Sequence, residues 1–242
     1  MAAMSGIRAR ARAQTTDEIK TIARRHLATD GANLSLRAVA RDLGVVSSAI
    51  YRYFASRDDL LTALILDAYN SLGSAVEAAD RGVVEAAERA AASGAFEWDA
   101  LSARWMATCH AVRDWALAAP HEYALIYGSP VPGYRAPQDT VPAATRAVRV
   151  LGGILQDAAL RGRFDADAGQ PLPDPVGGNL AEITAALCPA APPAAVSRGM
   201  GAWVQLFGTV SFELFGQLEN AVGDKAAFFE HQMRAQADYI GL

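Results

Sequence analysis

Four polar side chains, Ser47, Ser48, Tyr51 and Arg52, fall within a stretch that otherwise reads as short apolar helices. Ile50 and Phe54 lie four residues apart and share the inward face of a helix, which turns the polar four outward. A short buried helix has no use for two serines and an arginine on its free face. A helix in the major groove of DNA does. The small Ser47, Ser48 and Ala49 let the backbone approach the bases, Arg52 can fork onto guanine, and Tyr51 can reach a phosphate.

The flanking residues supply the elements that would hold such a helix. Ser35 precedes Leu36, Val39, Ala40 and Leu43, apolar positions at helical spacing, and a serine there can accept from a free backbone N–H. Gly44 follows the last of them, where a left-handed backbone is easiest for glycine. The next helix is expected from Ser47 to Phe54. Ser56-x-x-Asp59 reads as a helix start of the capping-box kind, with Arg57 in its first turn beside the flanking DNA backbone. Upstream, Thr16-Asp17-Glu18 reads as another helix start, with Ile19, Ile22, Ala23 and Leu27 as its apolar stripe and Gly31 as its end. Three helices between 16 and 54 joined by a glycine turn have the spacing of a helix-turn-helix.

The net charge of −4 argues at first against a nucleic-acid partner. Its distribution reverses that: residues 1–57 carry ten Arg or Lys against four Asp or Glu, and residues 58–242 carry twelve against twenty-two. A basic head on an acidic body suits a chain in which only the head meets phosphate. Arg8, Arg10 and Arg12 alternate with Ile7, Ala9 and Ala11, a spacing that suits an extended arm along phosphates or in a minor groove and a flexible tail without DNA. The arm is expected over 1–15.

The chain has 242 residues, 52% of them apolar and 20% charged, enough for a large helical core. No run of eighteen apolar residues predicts a membrane span, and MAAMSGIRARARA lacks the apolar stretch of a secretory signal. Cys109 and Cys188 have no CxxC spacing, so a reduced, cytoplasmic location is expected. Beyond the head, a long helix is expected from Leu60 to Asp80, with breaks at Arg81-Gly82 and Ser93-Gly94. Leu101, Trp105, Cys109, Val112 and Ala116 define a helix ending before Pro120; His121–Tyr127 forms a helical turn; 128–134 is irregular; 141–160 is helical; and 162–178, rich in Gly, Pro and Asp, reads as a surface loop. Trp203 to Leu218 is apolar on more than one face, and Phe228, Phe229, Met233 and Ile240 mark another apolar helix. A second subunit is a natural cover for both.

Several features suggest chemistry that their spacing denies. Cys109 and His110 are adjacent, about 100° apart on a helix, and cannot pair as nucleophile and base. The four histidines lack metal-ligand spacing. Gly152-Gly153 is a packing point, since no strand or GK[ST] accompanies it. Asp165, Asp167 and Asp174 lack the ligand spacing of a calcium loop. No enzyme activity, cofactor or metal is expected.

Ser35-Leu36-Arg37-Ala38-Val39-Ala40, Leu43-Gly44-Val45, Ala49-Ile50-Tyr51-Arg52-Tyr53-Phe54 and Ser56-Arg57-Asp58-Asp59-Leu60-Leu61 together make 16–66 resemble the DNA-binding domain of the TetR/AcrR family of transcriptional regulators. Two positions depart from the family's habit. Val46 stands where Ser or Thr is frequent, leaving Ser47 to take over the cap, and Arg57 stands where a phosphate-binding lysine is frequent, which keeps the charge and changes its geometry. The resemblance implies an all-α chain, with a three-helix DNA-binding domain over 16–60 and a larger ligand-binding and dimerisation domain over 61–242. The candidate DNA contacts are Ser35, Arg37, Ser47, Ser48, Ala49, Tyr51, Arg52, Tyr53 and Arg57.

Trp115-Ala-Leu-Ala-Ala-Pro120 and Tyr123-x-x-x-Tyr127-Gly128-x-Pro130-x-Pro132-Gly133 are similar to a C-terminal subtype of that family best known from actinobacteria. The resemblance implies a homodimer through Trp203 to Leu218 and Phe228 to Ile240. It implies a pseudo-palindromic double-stranded operator, and a small apolar or amphipathic effector whose binding releases DNA from what is then a repressor. Trp105, Met106, Cys109, Trp115, Tyr123, Tyr127, Phe207 and Phe212 are the candidate walls of the effector site. A DNA-binding protein without an effector, or a small-molecule enzyme, are the alternatives.

Overall fold

The computed structural model describes residues 2–30, 34–93, 100–164 and 172–242, without the side chains of 2–5, 8 and 30. Among these every regular element is helical. In chain order they are α1 (Ala2–Asp30), α2 (Leu36–Asp42), α3 (Ser47–Ile50), α4 (Arg57–Ala92), α5 (Ala100–Ala118), α6 (Pro120–Tyr127), α7 (Val141–Ala144), α8 (Arg146–Leu160), α9 (Asp174–Leu187), α10 (Pro193–Leu214) and α11 (Lys225–Ile240). The all-α class follows from apolar residues recurring at helical spacing through the chain.

The chain divides into two units, Met1–Tyr69 with Ala119–Pro142, and Asn70–Ala118 with Ala143–Leu242. In the first, Ile19, Ile22, Ala23 and Leu27 of α1 meet Leu36, Val39 and Ala40 of α2, Ile50 of α3, Phe54, and Leu60, Leu61 and Leu64 of α4. Each large side chain buried here contributes roughly 1.5–3 kcal/mol, which is how a four-residue α3 is held without stability of its own. Gly44 takes φ +75° in the turn between α2 and α3, the left-handed backbone a glycine supplies most easily. The start of α4 is a reciprocal cap: the Asp59 N–H donates to Ser56 Oγ at 3.1 Å, and the Ser56 N–H donates to Asp59 Oδ2 at 3.0 Å. Residues 119–142 pack here too. Leu125, Val131 and Tyr134 lie against the same core, Tyr134 Oη is 2.9 Å from Thr62 Oγ1, and Arg24 bridges Asp67 at 2.8 Å and Glu122 at 2.6 Å. The sequence boundary at 60/61 assigns this segment to the C-terminal domain instead.

In the second unit α5 is the most buried element, with Leu101, Trp105, Cys109, Val112 and Ala116 inside. The Trp105 indole N–H donates to the Met233 carbonyl of α11 at 2.8 Å. Arg104, also buried, lies between Asp80 at 2.7 Å and Asp157 at 2.5 Å, tying α4, α5 and α8 together. Arg113 pairs with Glu213 of α10 at 2.6 Å. Gly152 is a packing point, as expected, because a Cβ there would stand 2.9 Å from Leu187 Cβ.

Five expectations are corrected. The basic segment is no extended arm: α1 begins at Ala2, and the Thr15 and Thr16 hydroxyls donate back to the Ala11 and Arg12 carbonyls at 3.0 and 2.9 Å. Alanine and arginine are strong helix formers, and that propensity outweighs the alternating pattern. The helix therefore runs through Thr16-Asp17-Glu18 rather than starting there. α3 ends at Ile50, and Tyr53 and Phe54 close it with turn-like bonds to the Ile50 carbonyl. Gly82 does not break α4, since one glycine costs only about 1 kcal/mol against alanine and the run of Glu, Ala and Arg over 85–92 favours helix beyond it. The expected loop over 162–178 gives way to α9 at Asp174, where an acid and Pro175 open a first turn; residues 165–171, including Asp165 and Asp167, lie outside the described residues. Finally α10 stops at Leu214, where Gly216 at φ +81° turns the chain.

Candidate nucleic-acid interface

α3 owes its orientation to Ile50, 1% exposed in the core of the first unit. That anchor leaves Val46, Ser47, Ser48, Tyr51 and Arg52 exposed, Tyr51 by 47%, while Ala49 and Tyr53 are half-buried. One side of the turn is thus small hydroxyls, a phenol and a guanidinium, and the other is hydrocarbon. Val46 sits at the N-cap with no side-chain hydrogen bond, and Ser47 is already inside the helix, so it does not take over the cap. Ser35 is the extended N-cap residue of α2, as expected, but its hydroxyl makes no capping bond; it and Arg37 are exposed at the start of that helix.

Two candidates have intramolecular work. Arg57 Nε donates to the Leu34 carbonyl at 3.2 Å and Nη1 lies 3.6 Å from Asp58, bracing α4 against the chain before α2. Tyr53 receives the Arg12 guanidinium over its ring, 5.2 Å from the centroid, and the same guanidinium donates to the Arg52 carbonyl at 3.2 Å. The contact of Arg12 with the turn after α3 has no signal in the sequence, because it depends on α1 continuing upstream of Thr16. At the other end of α2, His26 Nε2 lies 2.7 Å from Asp42 Oδ2, and this hydrogen bond holds the Asp42 carboxyl below its usual value.

The candidate effector residues divide between the units. Tyr123 and Tyr127, on α6, belong to the first, where Tyr127 stacks against Tyr123 and Tyr69 with ring centroids 5.2 and 6.2 Å away. Burial pushes the Tyr127 and Tyr69 phenols up, so both remain protonated. Trp105, Met106, Cys109 and Trp115 line the inner face of α5 in the second unit, and the Trp115 N–H donates to Ser71 Oγ at 3.0 Å. Burial likewise holds the Cys109 thiol well above its usual value, which makes it packing rather than a nucleophile. Phe207 stacks on Trp203 at 4.7 Å. Phe212 is 55% exposed and does not face the interior of its own chain.

Sequence reasoning missed two features of the second unit. The Thr108 hydroxyl, fully buried beside Cys109, has no hydrogen-bond partner among the described residues. An orphan of this kind costs about 1–3 kcal/mol unless a guest group satisfies it. An apolar cavity of about 20 Å³, the size of roughly one water, lies between α8, α9 and α10, lined by Leu151, Leu155, Ile183, Leu187, Val196 and Met200 among others. Among the described residues no group of three or more His, Cys, Asp or Glu is placed to hold a metal, and no helix is long and apolar enough to cross a membrane.

Comparison with known proteins agrees with this geometry. Residues 21–64 match the model for bacterial regulatory proteins of the tetR family, and residues 105–236 match that for the tetracyclin repressor-like C-terminal domain. HTH-type transcriptional regulators of Mycobacterium bovis and Mycobacterium tuberculosis are 37% identical over 235 residues, covering 95% of this chain and 93% of theirs. The crystal structure of SCO4313, described as a regulatory protein, superposes with a TM-score of 0.70 at 35% identity, covering 95% of this chain and 98% of the other. A structure of unknown function from Rhodococcus sp. RHA1 has a TM-score of 0.61 at 23% identity, covers 93% of this chain and 92% of its own, and shares the fold.

Proposed function

Because the chain belongs to the TetR family of bacterial helix-turn-helix transcriptional regulators, we propose that it is a repressor that holds a pseudo-palindromic operator as a homodimer and leaves it when a small apolar or amphipathic effector binds. The observation that carries this reading is a pair of exposed faces, one polar on α3 and one apolar on α10. Ser47, Ser48 and Ala49 bring the backbone to the bases, Arg52 reads a base, and Tyr51 holds phosphate, with Ser35, Arg37, Tyr53 and Arg57 flanking.

Val204 and Phe212 of α10 and Phe215 just beyond its end form an exposed stripe, 67%, 55% and 44% exposed, and Tyr239 of α11 is 55% exposed beside it. A Cβ on Gly201 would stand 3.8 Å from the Tyr239 ring, so the two helices present one surface. Trp203 to Leu218 and Phe228 to Ile240 are therefore the proposed dimer segments. The matched C-terminal domain model is repressor-like in its description, which favours repression. In the body, the α5 aromatics supply apolar walls and Thr108 supplies a hydroxyl for a polar group on the effector. The effector need only prefer the conformation that does not bind DNA. α4 contributes residues to both units and is one of the covalent routes between effector and head.

A second reading, constitutive DNA binding without an effector, draws on the packing of Trp105, whose indole N–H is already taken by the Met233 carbonyl. Selection of random duplex DNA by the purified protein tests the first half of the proposal: an enriched inverted repeat is expected, and recovery of random sequence at moderate salt would remove it. With that repeat as probe, amphipathic compounds that both raise the Tm and release DNA separate the two readings.

A further inference from the structure

We propose that the first turns of α1, Ala2–Arg12, form a second DNA-contacting element that lies on the phosphates flanking the groove entered by α3. The inference rests on the reading of α3 as the recognition element. Three observations carry it.

The first is position. Arg12 donates to the Arg52 carbonyl at 3.2 Å and covers the Tyr53 ring at 5.2 Å, so this part of α1 is docked on the C-terminal end of the recognition turn. The second is reach. Ten residues of helix before Arg12 extend about 15 Å, the length of roughly four phosphates along one strand. The third is charge. Residues 1–16 hold Arg8, Arg10 and Arg12 and no acid, whereas Asp17 and Glu18 follow at once, so the positive charge is confined to the part of the helix upstream of the anchor. Gly6, Ile7, Ala9, Arg10 and Ala11 are exposed, and the small Gly6, Ala9 and Ala11 keep this stretch of helix slim enough to approach a backbone closely.

Arg12 acts as the joint. Its guanidinium is spent on Arg52 and Tyr53, which fixes the direction of the rod, and Arg8 and Arg10 supply the phosphate contacts. Such contacts carry no base information; they add affinity, salt dependence and length of footprint.

The experiment uses the full chain and the duplex recovered by selection, and compares wild type with Arg8→Ala/Arg10→Ala and with Arg12→Ala by hydroxyl-radical footprinting and by affinity across a salt series. The expected result is a footprint shortened at both outer flanks in both variants, and in the double variant a plot of log K against log salt shallower by about 0.9 for each phosphate that is no longer neutralised. In the double variant the enriched sequence and Tm stay unchanged. A double variant with wild-type footprint and slope overturns the inference while leaving the role of α3 intact. A wild-type chain that selects no sequence overturns both. Loss of base preference in the double variant overturns the phosphate assignment, since the element would then be reading bases.

Discussion

Two helices of this chain expose faces that a single protomer leaves uncovered, and the chemistry of those faces differs. α3 and the turn that closes it show Ser47, Ser48, Tyr51 and Arg52, groups that gain little by leaving water unless directional partners meet them. α10 and its C-terminal end show Val204, Phe212 and Phe215, groups that gain simply by leaving water. The first face suits a surface with a fixed pattern of donors, acceptors and phosphates; the second suits another apolar surface. The difference teaches that exposure alone does not define a site: the kind of free energy available on the face names the kind of partner.

The largest expected effect comes from charging the apolar face. Val204→Asp with Phe212→Asp should give a monomer by sedimentation. Operator affinity should fall by about a hundredfold or more, because two half-sites no longer act together. An intact dimer with unchanged affinity would show that this face covers nothing. Next, arginines in the two regions should part company. Arg104→Met leaves Asp80 and Asp157 without their shared partner and should cost about 3–5 kcal/mol in urea unfolding. Arg52→Ala should leave stability alone and cost about 1–3 kcal/mol at one operator position. Equal weakening on every sequence would reassign Arg52 to phosphate.

The smallest effect is on pH dependence. The His26 hydrogen bond lowers the Asp42 pKa from its ordinary 3.8, so the contribution is present above that value and is lost as pH falls through the lowered one. His26→Ala should remove this part of the acid dependence, read as Tm against pH between about 2 and 5. A wild-type acid profile in the variant would show that the hydrogen bond does not persist in solution.

The head was largely legible because its information is local. Ile50 and Phe54 share a face by spacing alone, Gly44 marks a turn that needs positive φ, and the Ser56–Asp59 cap closes within four residues. The outward set of α3 follows once Ile50 is anchored. The body was less legible because its aromatic residues serve core, pocket and interface with the same side chains. Phe207 and Phe212 are five residues apart and read alike, yet Phe207 stacks on Trp203 and Phe212 faces out.

Residue order and side-chain type alone determined the helical class, the basic head, the polar face of α3 and the cap of α4, since helix periodicity and capping act over a few neighbouring residues. Only the tertiary structure decided that 119–142 packs with the head, that Arg12 meets the turn after α3, that Thr108 is buried without a partner among the described residues, and which aromatic residues turn outward. Those outcomes depend on packing between residues far apart in the chain. Their geometry is set by how whole helices fit together, which no local spacing encodes.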